Sequence, residues 1–166
     1  MKFLTCSESN EIIKSLDATI DPKNHETLAK VGYTHICLKY PPCDSINHLA
    51  YQIAFSNHQS PWVLGLFTDW SIFSDYENTY LYYLIRKQYY NFSHIEDSPG
   101  HLFLNHEGNE LFSIIEIAIL NSYDLLIISN YDYSRYKLSH DGFLDVYTND
   151  SELIEAYSKY KNARHV

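Results

Sequence analysis

Glycine, cysteine and arginine are scarce in this chain, and each shortage removes a class of function. Only five of the 166 residues are glycine, and none belongs to a G-x-G-x-x-G, G-x-x-x-x-G-K-[ST] or G-x-S-x-G motif. The chain therefore has little material for a phosphate-cradling loop or a nucleophile elbow, and nucleotide chemistry is not expected. The three cysteines, Cys6, Cys37 and Cys43, are odd in number and form no C-x-x-C pair. That argues against a disulfide framework and a zinc knuckle, and fits reduced thiols. Arginine occurs only at Arg86, Arg135 and Arg164, and twelve Lys and Arg face twenty-one Asp and Glu. Clustered cations are what bind phosphate backbones and anionic lipid headgroups, so neither nucleic acid nor a membrane surface is an expected partner. No apolar run approaches the length of a bilayer span. The opening Met1–Glu8 segment carries a single lysine and no long apolar stretch after it. It does not read as a secretory leader, so a cytoplasmic location is expected.

What the chain has in excess is negative charge and tyrosine. The net charge is −9, and sixteen residues are tyrosine. Acidic surfaces speed encounter with basic proteins, and tyrosine supplies rigid contact area with a polar tip. With 45% hydrophobic and 20% charged residues, the composition is that of a globular domain, expected to run unbroken over residues 1–166.

Helices and strands follow from period and punctuation. Thr5 and Glu8 resemble a capping box ahead of a helix from about Ser7 to Asp17, with Ile12, Ile13 and Leu16 on one face. A short helix is expected from Asp21-Pro22 to Gly32. A strand follows over Tyr33–Tyr40. After Asp44 or Ser45, the spacing of Ile46, Leu49, Ala50, Ile53 and Ala54 predicts another helix. The apolar run Trp62–Phe67 suits a strand buried on both faces. Tyr76–Tyr90 reads as helix, His101–Leu104 as a short strand, Asn109–Asn121 as a helix apolar on most sides and so interior. Leu125–Ile128 reads as a central strand, and residues from about Asp150 to Tyr160 as the last helix. Asp141-Gly142 predicts a hairpin with a two-residue turn, pairing His140 with Phe143, Leu138 with Asp145 and Tyr136 with Tyr147. Six helices and about six strands, ending in a meander, predict an α+β (mixed α/β) domain with a central, mostly antiparallel sheet and helices packed on it.

Several clusters invite a chemical reading. Ser139-His140-Asp141 has the composition of a catalytic triad, but adjacent strand residues point to opposite faces and cannot share one hydrogen-bonded line. His94, Asp97, His101, His106 and Glu107 hold metal-ligand chemistry within a loop-like segment, and they define the alternative of a small metal-dependent hydrolase. Cys37 or Cys43 with His35 or His48 has the composition of a nucleophile–base pair, but the sequence leaves their distances open. No catalytic residue, cofactor or metal is assigned. For binding, the tyrosine stripe Tyr76, Tyr80, Tyr83 and Tyr90 is the expected anchor, with Asp69, Asp75 and Glu77 as steering charges. Tyr131-Asp132-Tyr133 forms a second aromatic and acidic candidate.

The run Ser98-Pro99-Gly100-His101-Leu102-Phe103-Leu104, with Glu107, then Leu111 in an apolar helix, Tyr123-Asp124-Leu125-Leu126-Ile127 and Ser139-His140-Asp141, resembles small bacterial proteins akin to toxin-immunity proteins. The resemblance covers the C-terminal half. It implies an inhibitor that binds a toxin domain and blocks its active site or its activation, and it supplies no catalytic residues. The expected function is thus a non-catalytic acidic binding protein whose partner is a basic toxin domain. A homo-oligomeric adaptor is a further alternative.

Overall fold

The computed structural model describes residues 1–17, 20–21, 28, 32–40, 46–56, 59–69, 76–131 and 134–162, with 76–81 and 160–162 described by backbone alone. The chain order is β1 (Lys2–Leu4), α1 (Cys6–Leu16), β2 (Thr34–Lys39), α2 (Ile46–Ser56), β3 (Trp62–Asp69), α3 (Tyr76–Gln88), β4 (Gly100–Leu104), α4 (Gly108–Leu120), β5 (Asp124–Ser129), β6 (Arg135–Ser139), β7 (Phe143–Thr148) and α5 (Ser151–Asn162). The strands form one sheet in the order β1-β4-β3-β5-β6-β7-β2, and every ladder is antiparallel. The expected α+β class with helices packed on an antiparallel sheet is what the chain adopts. The helix expected over Asp21–Gly32 lies almost wholly outside the described residues.

Both faces of the sheet are covered. Val63, Phe67, Leu125, Ile127, Tyr136, Leu138, Leu144 and Val146 point to one side and pack under α2, α4 and Tyr157 of α5. Leu64, Leu66, Leu126 and Ile128 point to the other, against Leu4, Ile13, Ile20 and Leu28. Burial on both sides is why β3 and β5 read as continuous apolar runs rather than alternating ones. α1 begins with the expected capping box: the Glu8 N–H donates to Thr5 Oγ1 at 3.2 Å and the Thr5 N–H to Glu8 Oε2 at 2.8 Å. The helix then crosses β4 so closely that a Cβ on Gly100 would collide with the hydroxyl of the buried Ser9.

The C-terminal hairpin forms, but its register differs from the expected one. Ser139 pairs with Phe143, Leu138 with Leu144, Lys137 with Asp145, Tyr136 with Val146 and Arg135 with Tyr147. The loop has three residues, His140, Asp141 and Gly142, and Gly142 alone takes a positive φ, +82°. A two-residue type I′ turn needs positive φ at both central positions, which Asp141 does not supply; the longer loop needs it only at the glycine. One residue of slip reverses every side chain of β7. In the observed register Leu144 and Val146 join Leu138 and Tyr136 in the core, while Asp145 and Tyr147 face the side of Lys137 and Arg135. The expected Tyr136–Tyr147 pair is therefore replaced; Tyr136 instead meets Tyr157 edge-on at 6.1 Å.

Candidate protein-binding face

Among the described residues, several buried polar side chains are spent on one another. Arg86 on α3 is fully buried, and among the described residues all its hydrogen-bond acceptors are uncharged oxygens. It donates to the Tyr82 hydroxyl and the Ser98 carbonyl, each at 2.9 Å, to Asn91 Oδ1 at 2.9 Å, to Ser93 Oγ at 2.9 Å and to Ser98 Oγ. Its guanidinium also lies 4.5 Å from the centre of the Phe3 ring. His101, on β4, is buried beside it and pairs with the Tyr82 hydroxyl at 2.5 Å. Burial, then the Arg86 charge, push the His101 pKa down to about 3, with the Pro99 and Gly65 carbonyls offsetting only part. A neutral imidazole hydrogen-bonded to Tyr82 belongs to the core.

That burial disperses the His94–Glu107 constellation. His94 and His106 are exposed, His101 is inside, Asp97 accepts from the His94 backbone N–H, and Glu107 binds the Met1 amine and the Leu104 N–H. Among the described residues, no group of three or more His, Cys, Asp or Glu is placed to hold a metal ion. His35 spends Nε2 on Asp145 Oδ1 at 2.8 Å and stacks on Tyr147 at 4.5 Å. Cys37 is exposed on the same strand, and Cys43 lies outside the described residues. His140 donates its backbone N–H to Asp124 Oδ1 at 2.6 Å and pairs through Nδ1 with the same oxygen at 2.8 Å, rather than turning toward Ser139. That hydrogen bond, offset slightly by desolvation and reinforced by the charges of Asp124, Asp141 and Asp69, raises the His140 pKa.

Two of the residues expected to bind a partner, Asp69 and Tyr131, lie at opposite ends of β3. Asp69 ends β3 opposite Asp124. Tyr131 follows β5 at the other end, where the Asn130 N–H donates to the Trp62 carbonyl at 3.3 Å. The length of β3 separates the two by roughly 20 Å. Tyr83 is half-buried with the Lys87 ammonium 4.5 Å from its ring centre, and Tyr90 is exposed just beyond α3 with φ 56°. Tyr76, Glu77 and Tyr80 lie on the helix backbone of α3, and their side chains are not among those described. Asp75, Asp132 and Tyr133 lie outside the described residues. Tyr82 of α3, which falls outside the expected stripe, is buried in the core.

Two clefts meet at Phe55, with exposed Tyr131 lining one of them and exposed Tyr51 packed on Phe55 itself. The larger, about 330 Å³, is walled by Phe55 and Ser56 of α2, by Ser129 at the end of β5 and Tyr131 beyond it, and by Glu152, Leu153 and Ala156 of α5. The smaller, about 120 Å³, includes Phe55, Leu104, His106 and Leu111. Tyr51 packs on Phe55 with ring centres 4.4 Å apart and is 54% exposed; Tyr131 is 63% exposed and Leu104 48%. Among the described residues, the charged side chains lining the larger cleft are Asp150 and Glu152, both acidic. Tyr131 was legible in the sequence as a binding candidate. Tyr51 and Phe55 were not singled out, although their spacing carried a signal: both are aromatic, one helical turn apart, and off the stripe of Leu49, Ala50, Ile53 and Ala54 that faces the core.

No family model matches this chain, and neither a curated protein nor a solved structure matches it. Among the described residues, no helix is long and apolar enough to cross a membrane.

Proposed function

We propose that this chain is an acidic protein-binding module. More particularly, its reading is that of an immunity-type inhibitor, which seats on a basic bacterial toxin domain and occludes it. The observation that carries the proposal is the cleft face around Phe55: exposed Tyr131 lines a concavity whose charged lining is acidic, exposed Tyr51 packs on Phe55, and exposed Leu104 lines the adjoining smaller cleft. Aromatic anchors beside desolvatable pockets are the usual source of interface affinity, and a net charge of −9 draws a cationic partner in at long range. The anchoring role expected of the α3 tyrosines passes in this reading to Tyr131, Tyr51 and Phe55.

The test is growth of cells making the candidate toxin encoded beside this chain, with and without the chain, followed by co-purification of the pair. Rescue and a stoichiometric complex are expected, and Phe55→Ala with Tyr131→Ala should weaken the complex by about a hundredfold, the loss of two hot-spot side chains. Absence of rescue together with absence of a complex would overturn the proposal.

A further inference from the structure

Resting on that reading, we infer that the larger cleft is a receptor for one arginine side chain presented by the basic partner. Part of its polar lining is unspent. Asp150 Oδ1 accepts from the Glu152 and Leu153 N–H groups at 2.8 and 3.3 Å, capping α5, while its Oδ2 makes no hydrogen bond among the described residues. The Glu152 carboxylate and the Tyr131 hydroxyl likewise have none among the described residues. Deeper in, Ser129 is 1% exposed, and its Oγ accepts the Tyr131 N–H at 3.3 Å, which leaves a second lone pair. Ser60, fully buried, donates to the Trp62 carbonyl at 2.6 Å and accepts from the Asn130 N–H at 3.0 Å.

These features select the ligand. An anion is refused, because the amides at the start of α5 are already taken by Asp150 and two carboxylates stand over them. A purely apolar side chain would cut the two carboxylates off from water without supplying a donor. A cation with several spread donors is the ligand that suits a cleft lined by Asp150, Glu152 and Ser129, whose wall also carries the rings of Phe55 and Tyr131. The planar guanidinium with five donors matches that set, whereas an ammonium is a compact, strongly hydrated point charge that gains less from flanking rings. The cleft, about 330 Å³, is at the small end of ligand sites and suits a single long side chain rather than a peptide segment.

The test titrates the full chain with acetyl-Gly-Arg-Gly-amide and with the lysine and citrulline counterparts, following backbone amide resonances. The arginine peptide should shift Ser129, Tyr131, Glu152 and Leu153, and bind about tenfold more tightly than the citrulline peptide, which keeps the shape without the charge. Glu152→Gln should lose about tenfold for arginine, while Asp141→Asn, on the exposed hairpin loop, should lose nothing. Glu152 is the residue to change because Asp150 also caps α5. Shifts elsewhere, no shifts, or equal binding of lysine or citrulline would overturn the assignment. A toxin complex that forms while the peptide leaves the cleft untouched would sink this inference alone. Arginine binding in the cleft without any rescue or complex would sink the inhibitor reading alone.

Discussion

The Tyr82 hydroxyl sits between two buried nitrogens, 2.5 Å from His101 Nε2 and 2.9 Å from Arg86 Nη1. It accepts from the guanidinium and shares a further hydrogen bond with the imidazole. Tyr82→Phe keeps the ring that packs edge-on against Phe67 at 5.5 Å but removes the hydroxyl. The expected loss is about 2 kcal/mol, because a buried cation and a buried imidazole each lose a partner. Urea unfolding with an unchanged m-value would measure it; a loss within error would show that Ser98 and the other acceptors satisfy Arg86 by themselves.

His101 and His140 should make stability depend on pH in opposite directions. His101 has its folded pKa lowered to about 3. Between that value and the ordinary histidine range the unfolded chain holds more protons, so the His101 contribution is complete above the unfolded pKa and is lost as pH falls. His140 has its folded pKa raised. Its contribution is complete below the unfolded pKa and disappears as pH rises through the folded one. Histidine ring resonances followed by NMR should show His101 still neutral at pH 5 and His140 titrating above the ordinary histidine range. In His140→Gln, the decline of stability on the alkaline side of the histidine range should flatten.

The glycine of the hairpin loop carries a specific load. Gly142 has φ +82° and donates its N–H to the Ser139 carbonyl at 3.0 Å. Gly142→Ala places a Cβ in a left-handed conformation and should cost about 1–2 kcal/mol. Thermal unfolding would check this, and an unchanged midpoint would mean that the loop relaxes to another turn.

Two substitutions separate the formation of α1 from its docking. Thr5→Ala removes the side-chain cap and should cost about 1 kcal/mol. Gly100→Ala leaves the helix intact but pushes it off β4 through Ser9 and Leu4, so its cost should exceed that of the cap. Amide exchange over residues 6–16 distinguishes them: fraying at the first turn for Thr5→Ala, loss of protection along the whole helix for Gly100→Ala.

The candidate site was partly legible. Tyr131 and an acidic character could be read from the residues alone, because exposed aromatics after a strand and a large charge imbalance need no tertiary information. The α3 stripe was less informative, because helical spacing groups side chains without saying which face meets the sheet. Tyr82, off that stripe, proved to be the buried tyrosine beside Arg86 and His101. The His94–Glu107 cluster failed for the same reason: closeness in sequence does not prevent His101 from pointing inward on β4 while His94 and His106 point to solvent.

Local chemistry determined the elements that local energy can hold: the Thr5–Glu8 box starts α1, and the two-sided apolar runs become β3 and β5. The tertiary structure alone decided three things. It made Lys2–Leu4 a strand, because a segment so short pairs only when β4 offers an open edge. It chose the hairpin register, because a shift of one residue trades Leu144 and Val146 for Asp145 and Tyr147 in the core, a difference that turn preferences cannot outweigh. And it assembled the Phe55 face from α2, the β5 exit and α5, segments far apart along the chain whose adjacency follows from sheet order, which no periodicity in a single segment encodes.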